Sequence, residues 1–565
     1  MVVILFVCSV FMFYNLNESD RREVQIENIL VDAVPLLETE TLENPDPMTY
    51  LVVGDPKPEL YGDIYSNIVE LLNRLGVKYG LRDDVSRMEL DPESVILIFA
   101  DDQVGRRIDP RNLERFISEG GRAVFAAGLP EGSTDSYLLP VQGIIEKTAR
   151  VNYTDFHFLR DYFPVQEERM AYDGYNMSTW ITVREDATVY VEDGEKHTPI
   201  VYTYPYGEGE TLMINGTLLS DRRCSGFLTS GLALMQECFL YPVVGVETVY
   251  LDNFPLATNA DDANCLRLYG RTTEAFIRDI IWPAFQGIST RNGIPYTSSV
   301  LAYSTVPDSF PQISEGLFST MGKSALQFNV ELAYASYGNG DPELYRHDEF
   351  LDRFQSVFKK YRVTSLITTG ADDIPAVADF AGESINMVRG SLMSPNPSDR
   401  FKLGKSYCVF PRATDGIDLD QGDLLELASV YSSYGMISHS IDINRFVVMD
   451  EDQAVWDSEK LKLQDFEKRV LRVFPGLEPM SLSRTVNPLR SYLSLKYGWW
   501  MEEKEKDPDE IHLNAKSFAP GQPFMVRLSR EIRSAQGADY EKIGGQYYLV
   551  RLNQPQAVLR LDEGE

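Results

Sequence analysis

Hydrolysis of an amide needs a polarised carbonyl, an activated water and an acid for the leaving amine. The side chains of this chain that could supply them cluster between positions 246 and 450. Tyr250-Leu251-Asp252-Asn253 closes one apolar run. Thr364 to Thr368 runs toward Asp372 and Asp373, and Ser438-His439-Ser440-Ile441-Asp442 forms a third stretch. A strand-end aspartate such as Asp252 suits a general base, and an imidazole suits a general acid. An aspartate with two histidines would hold a metal such as zinc. Yet His347 and His439 are the only histidines of this region, and none lies between His197 and His347. His347 stands just ahead of Phe350, Leu351, Phe354, Val357, Phe358 and Tyr361, which share one helical face; a solvated helix start is the plainer reading there. His439 is either a site residue or a satisfied core histidine. Asp372 and Asp373 are either replacement ligands or a solvated loop. Asp252 and Asp373 would also suit a two-carboxylate glycoside hydrolase. Trp499-Trp500 offers a stacking surface for sugar rings, or packing at a domain junction.

The elements that must position these residues alternate. From Val246 onward, strand Thr248 to Leu251, a helix from Thr273 to about Phe285, a strand-like run Ala325 to Leu332, the helix through Phe358 and strand Thr364 to Thr368 follow one another. Repeated β-then-α units with acidic strand ends predict a (β/α) barrel whose active face lies at the strand C-termini. Before it, Thr49 to Gly54, Val95 to Phe99 and Ala123 to Ala127 alternate with helical patterns, the second opened by Asp109-Pro110. This predicts a parallel, Rossmann-like α/β domain. Strands follow in the Tyr- and Thr-rich stretch 151–211, then a buried strand at 210–215 and a closing helix at 223–238. Tyr206-Gly207-Glu208-Gly209 and Asn215-Gly216 around that strand resemble the late part of class I glutamine-amidotransferase-like domains. The absence of cysteine between Cys8 and Cys224 argues against amidotransfer, leaving a ligand-binding, docking or structural role. Beyond Pro475, Ile511 to Leu513, Phe524 to Leu528 and Tyr547 to Leu552 predict a small β domain. The expected division is therefore 1–17 anchor, 18–47 linker, 48–242 Rossmann-like domain, 246–480 barrel and 481–565 β domain.

A chain of 565 residues is too long for one core, and its 44% hydrophobic content argues against general disorder. A formal charge of −32 repels phosphate backbones and excludes nucleic acid as a natural partner. It suits cationic partners, including partly deacetylated amino-sugar polymers. Val2 to Tyr14 is almost wholly apolar but lacks a clear cleavage site. It is read as an uncleaved single N-terminal membrane anchor, against a cleaved signal peptide; either places the remainder on the extracytoplasmic face. Cys224, Cys238, Cys265 and Cys408 lack C-x-x-C spacing, which supports neither a zinc ribbon nor a redox pair and requires no disulfide.

Tyr250-Leu251-Asp252-Asn253 resembles the first motif of NodB-type polysaccharide deacetylases, and Phe254-Pro255 narrows the match. It resembles the deacetylase-like domain of PelA-type exopolysaccharide proteins and a related uncharacterised bacterial family. Glu331-Leu332-Ala333 with Tyr337-Gly338-Asn339 resembles their second motif, Phe410-Pro411-Arg412 their arginine strand, and Ser438 to Asp442 their late histidine motif. The resemblance implies Asp252 as base, Arg412 as its orienting partner and His439 as acid, with Asn253, Tyr337, Asp372 and Asp373 near the substrate. It also shows departures. The metal-binding aspartate is replaced by Asn253, and the two ligand histidines fall near Ala335 and Asn339. The expectation is a deacetylase-like domain without its usual metal, acting in polysaccharide binding or as a scaffold for exopolysaccharide synthesis and export proteins. The alternatives are an active de-N-acetylase with a rearranged divalent-metal site, drawing on His347 and Asp372 or Asp373, and a glycoside hydrolase.

Overall fold

Adjacent residues of a strand point to opposite faces, and that alternation divides the amino-terminal sheet between two cores. Tyr50, Val52, Ile96, Ile98 and Val124 face one side and meet Ile64, Ile68, Leu71, Leu72 and Phe227. Leu51, Val53, Leu97, Phe99, Ala123 and Phe125 face the other and meet Leu113, Phe116 and Ile117. The architecture comes from a computed structural model. It describes residues 34–38, 48–57, 59–129, 136–254, 262–304, 315–337, 358, 361–368, 387–392, 401–404, 407–447, 455–502 and 509–562. Asp372, Asp373, His347, Asn339 and the apolar Val2 to Tyr14 lie outside these, and the side chain of Tyr337 is not described.

Strands Tyr79–Arg82, Thr49–Val53, Val95–Phe99, Arg122–Phe125 and Gly209–Ile214 run parallel in that order. Pro199–Tyr206 and Thr188–Asp193 extend the sheet antiparallel. Helix Glu59–Leu75 carries the expected apolar face. Pro110–Ser118 starts at its proline, with the Asp109 side chain accepting from the Arg111 amide.

A second sheet is curled into a half-barrel. Parallel strands Met387–Leu392, Ser365–Thr368, Glu331–Tyr337, Tyr296–Ser304, Val246–Asp252 and Met436–Asp442 lie side by side in that order. Cys408–Arg412 pairs with the Met387 strand, and its continuation Thr414–Asp415 pairs with Met436–Asp442 at the other edge. Between these two short strands the Ala413 amide donates to the Ser438 carbonyl at 2.7 Å. Val249, Leu251, Leu332, Tyr334, Leu366, Val388, Ile437 and Ile441 face an outer layer with Phe285 and Phe466. Val246, Tyr250, Ala333, Ala335, Ile367, Met387 and Met436 face inward. Where a strand was expected from Ala325, helix Glu315–Gln327 runs on and strand Glu331–Tyr337 starts later. A short apolar run does not distinguish helix from strand, and Asn329 at φ 56° makes the turn between them.

The last part of the chain is an antiparallel sandwich. One sheet holds Lys496–Glu502, Glu510–Lys516, Gln556–Leu561 and Ile532–Gln536. The other holds Gln522–Leu528, Tyr547–Leu552 and Ala538–Gly544, and its edge strand Cys238–Pro242 comes from the end of the first domain. The sandwich is thus built from two distant stretches of chain, across the boundary expected at 242. Residues 34–38, expected as free linker, reach it too: the Leu37 amide donates to the Phe518 carbonyl at 2.7 Å. Trp499 is buried in the sandwich core. Cys224, Cys238, Cys265 and Cys408 are buried free thiols. No helix among the described residues is long and apolar enough to cross a membrane.

Small residues join the first domain to the curled sheet. Helix Ser225–Leu234 packs on Gln421–Tyr434, the Gly226 amide donates to Ser429 Oγ at 2.9 Å, and the Ser230 and Ser432 hydroxyls lie 2.9 Å apart. A Cβ on Gly226 would sit 2.5 Å from the Ser429 carbonyl oxygen, which is backbone and cannot swing aside. Gly226→Val should therefore force the helices apart and cost about 1–3 kcal/mol by overpacking. Urea unfolding of the variant against the parent protein measures this.

Candidate functional site

Asp252 is the last residue of strand Val246–Asp252 and is 7% exposed. It shares the inner face with Thr248 and Tyr250. Arg389 Nη1 donates to its two oxygens at 2.9 and 3.1 Å. The Arg389 side chain is 2% exposed, and its guanidinium lies 4.9 Å from the Tyr250 ring centroid. The strands of Arg389 and Asp252 are four positions apart in the sheet. Flat, at about 4.8 Å per strand, they would be roughly 19 Å apart. The direct contact exists because the sheet curls, and it spans the interior of the arc.

Arg412, expected to orient Asp252, comes second. Its Nη1 lies 3.8 Å from Asp252 Oδ2, while it donates to Ser440 Oγ at 2.7 Å and its Nη2 lies 3.1 Å from Asp415. Arg389 was not singled out in the sequence. The signal was present: a lone charged residue inside Met387-Val388-Arg389 implies a buried partner.

Asn253 follows Asp252 in a left-handed turn, φ 59°. Its amide N–H donates to Ser299 Oγ at 3.0 Å, and its side-chain Nδ2 donates to Asp442 Oδ1 at 2.8 Å. Asp442 stands in register with Asp252 across the parallel pair. Asp442 is exposed at the strand end, yet the protein packed around its carboxyl removes enough water to raise it above the usual range, and the nearby Asp252 charge adds to this against the Asn253 bond. The inner face at this end thus carries Asp252, Arg389, Arg412, Ser440 and Asp442, rimmed by Asn253.

The structure does not bring His439 to that group. It lies three residues before Asp442, an odd step, so it points outward beside Val249, its register partner. It is fully buried and its ring stacks on Phe466, 4.5 Å between centroids. Nε2–H donates to the Gly416 carbonyl at 2.6 Å, which leaves Nδ1 to accept from the Thr414 hydroxyl at 2.8 Å. Burial holds its pKa down to about 3; the Gly416 bond opposes this, and Arg412 and Arg445 reinforce it.

A metal held in the manner the motif resemblance implies does not fit the described residues. Ala335 is a buried alanine with no donor atom, and the Asn253 amide is committed to Asp442. Among the described residues, the one group of three or more His, Cys, Asp or Glu side chains arranged to hold an ion is elsewhere, on the sandwich. In the first domain, Cys224 is buried and its thiol is pushed up by burial, which removes it as a nucleophile. The carboxyl ends of that domain's parallel strands carry Asp101, bridged to Arg107 at 2.7 Å, and Asp102, bridged to Arg150 at 2.9 Å.

The comparisons with known proteins agree with this geometry at the level of the fold. A solved structure of Agd3, described as a novel carbohydrate deacetylase, aligns over 92% of this chain and 99% of its own, with 10% identity and a TM-score of 0.50. The chain therefore has a carbohydrate-deacetylase-like fold. The model of DUF2194, a family described as uncharacterised and conserved in bacteria, matches residues 56–332. A putative ThuA-like protein from Bacteroides uniformis aligns over 35% of this chain and 95% of its own, at 11% identity and a TM-score of 0.27, too low to carry an argument. No curated protein matches the sequence.

Two outcomes follow from the site. Arg389→Met should leave the buried Asp252 carboxylate with the more distant Arg412 as its charged partner and cost about 2–4 kcal/mol, and adding Asp252→Asn should recover part of that loss. Denaturant unfolding of the single and double variants checks it. His439 is neutral in the fold down to pH about 3, whereas an unfolded histidine protonates near 6.5. Its contribution is therefore complete above pH 6.5 and falls as the pH drops from there toward 3. Between pH 7 and 4.5 the parent should lose about 2–3 kcal/mol more stability than His439→Gln, measured by urea unfolding at both pH values.

Proposed function

We propose that the Asp252 end of the curled sheet binds a polysaccharide without hydrolysing it, in an extracytoplasmic, membrane-anchored protein of exopolysaccharide biosynthesis or modification. The observation that carries this reading is the engagement of Asn253 and His439. The residue at the metal-aspartate position is an amide bonded to Asp442, and the expected acid is packed into the outer core. What remains at the strand ends is a set of carboxylates, arginines and hydroxyls suited to hydrogen-bonding sugars. The formal charge of −32 favours a polymer carrying free amines, such as a partly de-N-acetylated amino-sugar chain. In this role the protein serves as a docking element for synthesis and export proteins.

A second reading, de-N-acetylation, is favoured by one feature: Asp252 is held by Arg389 and approached by Arg412, as an oriented base would be. The experiment separates the two. Partly deacetylated N-acetylglucosamine oligomers should bind the full chain, and Asp252→Asn should weaken binding by about tenfold, the effect of one charged hydrogen bond. No acetate should be released with or without added zinc. Acetate release that disappears in Asp252→Asn would establish the second reading instead.

A further inference from the structure

We propose that the carboxy-terminal sandwich carries a surface site for a borderline divalent transition metal, formed by Glu502, Glu510 and His512. These residues lie on strands Lys496–Glu502 and Glu510–Lys516, where Glu502 is paired directly with Glu510 and Trp500 with His512. His512 Nε2 lies 3.0 Å from Glu502 Oε2 and 3.5 Å from Glu510 Oε2. Ligand atoms around a single zinc ion, with bonds of 2.0–2.1 Å and angles of 90–109°, are about 2.9–3.4 Å apart. The His512–Glu502 pair stands at that spacing, the His512–Glu510 pair just beyond it, and all three donor atoms lie within 4.8 Å of one another, so a small shift of the exposed Glu502 closes the set.

The surroundings fix two of the ligands. The imidazole is stacked on Trp500, 4.7 Å between centroids and 7° between planes, which sets the direction of Nε2. The other oxygen of Glu510, Oε1, accepts from Arg560 Nε at 2.9 Å, so Oε2 remains turned toward His512. Such outer contacts orient metal ligands and raise affinity. Glu502, about half exposed, is the ligand able to swing onto an arriving ion. Two carboxylates directly opposite on neighbouring strands repel each other, and a cation between them removes that cost. One imidazole nitrogen with two carboxylate oxygens selects zinc, cobalt, nickel or copper over magnesium.

The site is separate from Asp252 and does not rest on the carbohydrate reading. Calorimetric titration of the full chain with zinc chloride should show one site of micromolar affinity. His512→Ala should weaken it at least tenfold, and Glu502→Gln, at an exposed position, several-fold. Copper(II) should quench tryptophan fluorescence in the parent and less in Trp500→Phe. Asp252→Asn should bind zinc as the parent does. Binding that is unchanged in both His512→Ala and Glu502→Gln, or absent below millimolar zinc, would overturn the proposal.

Discussion

A carboxylate taken out of water must be met by a positive partner, and here the partner reaches it across a sheet. Arg389 and Asp252 belong to strands four positions apart, yet they touch. Their contact and the curl of the sheet require each other. An arc of different curvature would part them and cost each buried group its nearest opposite charge. Breaking such a pair costs far more than forming it gains. The pair therefore acts chiefly as a constraint on geometry: it admits one curvature and one register.

The same economy of alternatives appears where the domains meet. Strand Cys238–Pro242 leaves the first domain and completes the sandwich before the chain enters the curled sheet. Residues Leu482–Thr485, after that sheet, return to its amino-terminal end. There the Leu482 amide donates to Thr297 Oγ1, and the Ser483 amide and hydroxyl donate to the buried Glu331 carboxylate. Glu331 also accepts from Ser365, so this buried carboxyl group has several hydrogen-bond donors. One end of the half-barrel is thus covered by this segment, and the other end carries Asp252 and the carboxyl ends of the strands.

Much of this was legible in the sequence, and the failures have physical causes. The strands Thr49–Val53 and Val95–Phe99, the proline-started helix and the strand ending in Asp252 follow from apolar runs and caps that are local properties. The strand Cys238–Pro242 was unreadable as part of the sandwich, because pairing with residues 522–528 leaves no mark at position 238. Arg389 was passed over for a similar reason: its partner is 137 positions away. Arg412, read from a motif, does lie near Asp252, but as the more distant of two arginines. His439 shows the limit of motif reading. The string Ser438-His439-Ser440-Ile441-Asp442 records proximity in sequence, whereas the period of a strand sorts those residues onto two faces.

That sorting bears on what the Asp252 face can do. Two aspartates in register, Asp252 and Asp442, share it with arginine and serine, and they are differently placed. Asp252 is held by Arg389, whereas Asp442 has a carboxyl raised by the protein packed around it and by the neighbouring charge. His439 lies on the other face of the strand, with both ring nitrogens engaged and burial keeping it neutral. On the proposed reading, a polymer bearing ammonium groups would meet Asp442 first, because it is exposed while Asp252 is buried. On that reading, the retained fold would present carboxylates to a cationic sugar rather than a polarising metal to a carbonyl.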